Sequence, residues 1–350
     1  MSSTGSESLL RVVLGLAAGT LVLSFVLVGL ILVLRWRRVR LERRMQDFES
    51  LWRPLLLAAT LAPEATELPA LAARDQFAFL KLWNYLHESV RGDASRHLNA
   101  LARQLKCDLA ARRMLHGHDR AARMLALLTL GHLRETTAWR ALRATAATGD
   151  TVESLLAARA LIQIDTDGGA QSLMPLVFSR WDWDIARLAR MLAPARDATH
   201  VLLAEAMPRL SDQGQLRALQ LVEVLRIELT VRELDLVMHP DKPSAVVAAG
   251  LRLVRHPAQI PAVRGLLHHA DWHIRFEAAA ALARLGDAAD IRSLVPLLED
   301  AHWQVRYGAA RALVNSPLLR ASELETLRVA ATDPGAQGIL SHVVAERSLA

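Results

Sequence analysis

Two stretches decide the fold: Asp271 to Leu282, DWHIRFEAAAAL, and His302 to Leu313, HWQVRYGAARAL. They superimpose at a spacing of 31, with Trp272 on Trp303, Ile274 on Val305, Arg275 on Arg306, Ala278 on Ala309 and Leu282 on Leu313. Alanine, leucine and arginine without an internal proline predict a helix over each. Recurrence at such a period is the mark of a repeat architecture. One unit is two short helices and a turn. Neither helix buries its apolar stripe alone, so units stack and share a continuous core.

The same period extends towards the N-terminus. The string AARAL of 309–313 also stands at 157–161. Steps of about 31 from Leu161 land on Leu192, Leu221, Leu251, Leu282, Leu313 and Val344, each in an alanine- or leucine-rich stretch. Asp182 to Ile185 repeats the Asp-Trp-x-Ile start. Turns are expected at the breakers Gly149-Asp150, Gly168-Gly169, Ser211-Asp212, His239-Pro240, Gly286-Asp287 and Asp333-Pro334-Gly335. Alternating Val/Ile/Thr runs are scarce, so the fold class is all-α.

With these residues in view, the chain resembles the bacterial HEAT-like repeats, the short form also found in phycobilisome lyases. That family carries an acidic turn, then Val-Arg, then Ala-Ala-x-Ala-Leu. Residues 267–317 match it through Ile274-Arg275 with 278–282 and Val305-Arg306 with 309–313. The resemblance puts Asp300 at the turn aspartate, which bonds along the stack; one repeat earlier His269 stands there. Over 120–265 the match is weaker, with Ala186 where an arginine is expected. The resemblance implies an α-solenoid whose curved surface takes protein partners. A second expectation is a lyase-like or metal-dependent enzyme on the same fold. Iron-binding relatives carry several His-Glu dipeptides; here His87-Glu88 is the only one, which argues against that activity.

Val12 to Leu34 is a run of 23 residues without a charge. Its length and composition predict a single transmembrane helix. The arginines at its inner end predict an N-terminus outside and the rest of the chain inside a bacterial cytoplasmic (inner) membrane. A cleaved signal peptide would need a shorter apolar core and basic residues on the other side. Arg35, Trp36, Arg37, Arg38, Arg40, Arg43 and Arg44 would then face the membrane interface, with anionic lipid as a partner. The expected organisation is a tail at 1–11, the span at 12–34, a basic connector at 35–68, a divergent helical cap at 69–118 and the repeat stack at 119–350. Pro54, Pro63 and Pro69 are expected to divide the helices of the connector and cap.

A formal charge of +6 is the sign of excess that nucleic acid attracts. Residues 1–44 hold seven arginines against Glu7 and Glu42, leaving only about +1 for the rest. A nucleic-acid binder carries its excess on the folded domain, so no nucleic acid is expected. The lone Cys107 excludes an internal disulfide framework and reads as a small core residue.

No phosphate loop, nucleophile elbow, dinucleotide fingerprint or HExxH motif occurs. The chain is therefore not expected to be an enzyme, and no cofactor is expected. His268, His269 and His273 beside Asp271 are weak metal candidates, since imidazole and carboxylate at one turn can hold a divalent ion. The competing reading is a polar turn with Asp271 as a helix cap. Trp181, Trp183, Trp272, Trp303 and Tyr307 recur near equivalent turns. Exposed, they would anchor a protein partner; buried, they would fill the seams between repeats.

Overall fold

The computed structural model describes residues 4–61, 68–239, 241–331 and 333–349, with side chains from residue 27 onward except at 41, 321, 348 and 349. Every regular element among the described residues is helical. The chain divides into two units, Met1–Glu135 and Thr136–Ala350.

The first unit holds α1 (Thr4–Leu61), α2 (Gln76–Ser89), α3 (Asp93–Gln104), α4 (Cys107–Leu115) and α5 (Arg120–His132). Its core is built on large rings. Trp52 meets Phe79 edge-on with centroids 4.9 Å apart. Trp83 is wholly buried and donates its indole N–H to the Leu98 carbonyl at 2.9 Å, which removes the penalty of burying a donor. Asn84 ties α2 to α5 by donating to Thr129 Oγ1 at 2.8 Å. Cys107 lies in the same core, and burial pushes its thiol up to about 12, so it packs rather than reacts. Pro54 does not divide two helices; it sits inside α1. Trp52, Leu56 and Ala59 are buried on either side of it, and α1 lies against α2 and α3. That burial offsets the backbone bond the proline removes. Pro63 lies outside the described residues.

His87 and His132 place their rings 4.3 Å apart beside Trp83. Burial lowers the His87 pKa from its ordinary 6.5, against the opposing effect of its bond to Asn99. A histidine that resists its proton in the fold lets the unfolded chain bind protons first. The stability of this unit should therefore fall as pH drops below about 6.5 and level off beneath the folded-state pKa. Thermal unfolding of the full chain at mildly alkaline and mildly acidic pH measures this. His87→Asn is expected to flatten the acid loss, and an unchanged loss in the variant contradicts the reading.

The second unit is a run of helix pairs. They are α6 (Trp139–Thr148) with α7 (Thr151–Ile164), α8 (Thr166–Ser179) with α9 (Ile185–Leu192), α10 (Arg196–Ala206) with α11 (Asp212–Leu225), and α12 (Val231–Val237) with α13 (Ser244–Arg252). There follow α14 (Ile260–Leu266) with α15 (Trp272–Leu285), α16 (Ala288–Arg292) with α17 (Trp303–Asn315), and α18 (Ala321–Ala330) with α19 (Pro334–Leu349). The second helix of each pair packs on the second helix of the next, from α7 through to α19. This is an α-solenoid-like stack.

The leucine register explains the contact. Leu161, Leu192, Leu221, Leu251, Leu282 and Leu313 fall one to each second helix and all are fully buried. Three residues before each stands an alanine: 158, 189, 218, 248, 279 and 310, all buried. A leucine fills the seam while the small residue a turn earlier lets the helix axes approach. Val344, the next step of the register, is 44% exposed on α19, and Val343 is buried instead.

Most of the expected turns fall between helices. Gly168-Gly169 does not, because both lie in the first turns of α8. A Cβ on Gly169 would meet the Leu161 carbonyl at 2.8 Å and Ile162 Cα at 2.9 Å. The glycine is there for close approach of α8 to α7, not for a bend.

The membrane reading is overturned. No helix among the described residues is long and apolar enough to cross a membrane. The expected span lies within α1, and the side chains of its residues 12–26 lie outside those described. The single-pass, N-terminus-out placement in an inner membrane is withdrawn with it. Arg35, Trp36, Arg37, Arg38, Arg40, Arg43 and Arg44 are exposed along α1. There Arg40 lies 5.1 Å from the Trp36 ring, Arg38 pairs with Glu42 at 2.9 Å and Arg44 pairs with Asp75.

Candidate interaction site

Arginine clasps hold the repeat turns in place. Arg275, near the start of α15, donates Nε and Nη2 to the two oxygens of Asp300 at 2.6 and 2.7 Å. Its Nη1 also donates to the carbonyls of His269 and Ala270 in its own turn. Arg306 repeats the second half of this pattern one unit later, on the carbonyls of Asp300 and Ala301. Burial disfavours the Asp300 charge, but the Arg275 fork and the His302 N–H outweigh it and hold the carboxyl below its ordinary pKa. Bidentate pairing needs a planar guanidinium, so lysine would not replace Arg275.

A second clasp lies at the start of the same unit. Arg180 grips Asp182 through Nε and Nη2 at 2.8 and 2.7 Å and reaches the Gly149 carbonyl at 3.0 Å. Thr151, exactly one register step before Asp182, donates to that carboxylate at 2.8 Å. The Arg180 bonds, then the Thr151 bond, drive the Asp182 pKa far down. Arg217 is buried and donates to the carbonyls of Val177 in α8 and of Arg180 and Trp183 in the turn from α8 to α9.

Fixed turns display the aromatic residues in different ways. Trp272 is half-buried and stacks on His273 with centroids 3.6 Å apart. It also stacks on His302 of the next unit, 5.5 Å away and nearly parallel. Trp303 is 55% exposed and lies 5.5 Å from Tyr307. Tyr307 in turn donates its hydroxyl to Glu346 at 2.9 Å and lies 6.4 Å from the His342 ring. These rings form a row across α15, α17 and α19, joined through the backbone of 302–303. Trp181 is also exposed, at 54%, with the Arg217 guanidinium 5.1 Å from its ring, but it stands apart from that row. Trp183 does not belong to the surface. It is 1% exposed and donates Nε1–H to Ser154 at 2.8 Å, so it fills a seam.

The histidine candidates serve the turn. His269 Nδ1 accepts the Asp271 N–H at 3.0 Å, and Asp271 caps α15 by accepting the His273 N–H at 2.9 Å. The Asp271 pKa is lowered first by a hydrogen bond from Ser244 and then by that cap. His268 and His273 are exposed. Among the described residues no group of three or more His, Cys, Asp or Glu side chains is placed to hold a metal ion.

Sequence reasoning missed Arg180, Arg217 and His342. Arg180 and Arg217 lie outside the Val-Arg motif, and His342 lies beyond its last copy. The Thr151–Asp182 spacing was the one available signal.

Residues 239–314 match the family of HEAT repeats. This agrees with the helix pairs seen there, and the chain carries a HEAT-like repeat domain. The crystal structure of an engineered protein aligns with 84% of this chain and 95% of its own, at 17% identity and a TM-score of 0.35. No curated protein matches the chain.

Proposed function

We propose that the chain is a scaffold that binds protein partners through the surface of its repeat unit. The supporting observation is the aromatic row of Trp272, Trp303 and Tyr307, held in place by buried arginine clasps and left partly open to solvent. A core that needed Trp303 would not leave more than half of it exposed. Tryptophan, tyrosine and arginine are the residues that dominate binding energy at protein interfaces. HEAT repeats generally mediate such contacts, and a rigid row on stacked helices costs little ordering on association.

The test uses the immobilised full chain, with retained proteins identified from a lysate. A defined set retained by the wild type should be lost about tenfold or more with Trp303→Ala and Tyr307→Ala. Unchanged retention in both variants, or no protein retained at all, contradicts the reading. The lyase-like or metal-dependent alternative has no favouring observation among the described side chains.

A further inference from the structure

A groove of about 400 Å³ opens between α15 and α17. Its depth comes from small residues. Ala280 and Ala283 lie on one side and Gly308 on the other. Gly308 stands one register step after Glu277, where a side chain occurs. A Cβ on Gly308 would meet the Phe276 ring at 2.8 Å, so the glycine makes room for that ring. Phe276 and Tyr307, again one step apart, supply the aromatic wall.

The rim is cationic. Arg284 donates one Nη2 bond to the Leu251 carbonyl at 3.2 Å, and Arg311 lies 5.8 Å from the Tyr307 ring. Among the described residues neither has a carboxylate at ion-pair distance. The nearby carboxylates are engaged elsewhere: Glu277 pairs with Arg252 at 3.4 Å, and Glu346 accepts from Tyr307. Burial and the neighbouring charge of Arg255 both disfavour the Arg284 cation, which an anion in the groove would relieve. The opening fits a side chain or two rather than the backbone of a nucleic acid, and the chain beyond residue 44 carries almost no net charge.

We infer that this groove takes an acidic peptide segment of a partner protein, with an apolar side chain against Phe276 and flanking carboxylates on Arg284 and Arg311. The inference rests on the scaffold reading and names the chemistry of one ligand. Arginine favours carboxylates because its fork matches both oxygens, and the aromatic wall supplies the desolvated contact.

The experiment selects short random peptides on the full chain and measures the winners by fluorescence anisotropy. Selected peptides should be enriched in Asp and Glu beside a Leu, Ile or Phe. Arg311→Glu should weaken them about tenfold or more, and raised salt should weaken them further. Ala280→Leu, which fills the groove without touching charge, should weaken them as well. Arg311 is exposed, so helicity and the melting midpoint should be unchanged in its variant. Selection of neutral or basic peptides, no selection at all, equal binding by Arg311→Glu, or tighter binding of a single-stranded oligonucleotide overturns the inference. Loss of lysate partners with Trp303→Ala would still uphold the scaffold reading in each of those cases, so the two fail separately.

Discussion

Asp300→Ala is expected to destabilise the second unit by about 3–5 kcal/mol, because it strands the buried Arg275 guanidinium without its counter-ion. The pair is well removed from water, with side chains 13% and 6% exposed. Asp300 also accepts the His302 N–H at the entrance of α17, and that bond is lost too. Arg275→Met combined with Asp300→Leu removes both charges. The double variant should recover most of the loss, since a buried ion pair replaced by apolar groups is often neutral. Denaturant unfolding of the wild type, Arg275→Met, Asp300→Leu and the double variant closes the cycle. Equal loss in the double variant would show that the clasp is not a coupled pair.

Trp183→Ala should cost about 3–5 kcal/mol, through the cavity left by a buried indole and the loss of its bond to Ser154. Trp183→Phe keeps most of the volume and should cost about 1–2 kcal/mol, mainly the hydrogen bond. Trp303→Ala should stay within about 0.5 kcal/mol, as an exposed side chain does. The same motif position thus predicts opposite outcomes in binding and in stability. A large loss of stability in Trp303→Ala, or none in Trp183→Ala, would reverse the assignment of surface and seam.

The stacking register was legible because it depends on residue size, which the sequence states directly. Leucines at steps of about 31 mark the seam, and all six from Leu161 to Leu313 are buried. The alanine three positions earlier was equally visible, as the second residue of AARAL. Gly168-Gly169 misled because glycine signals either a turn or a close approach, and only the neighbouring helix distinguishes them. Pro54 misled for a similar reason, since tertiary burial of Trp52 and Leu56 overrides a local preference. The aromatic residues were recognisable as a set but not as individuals. The partner of the buried Trp183 indole is Ser154, 29 residues away on another helix. The apolar run near the N-terminus pointed to a membrane, and the described helix does not supply a span.

The central claim is that residues 136–350 form one stack in which second helices meet at a step of about 31. Spin labels on paired cysteines at 280 and 311, and separately at 159 and 190, measure that directly in the full chain. Cys107 should not interfere, since it is buried and its thiol is pushed up to about 12. Adjacent packed helices place their axes about 8–10 Å apart, so both pairs should give the same short separation. A separation beyond roughly 20 Å in either pair, two helix spacings or more, would contradict the stack.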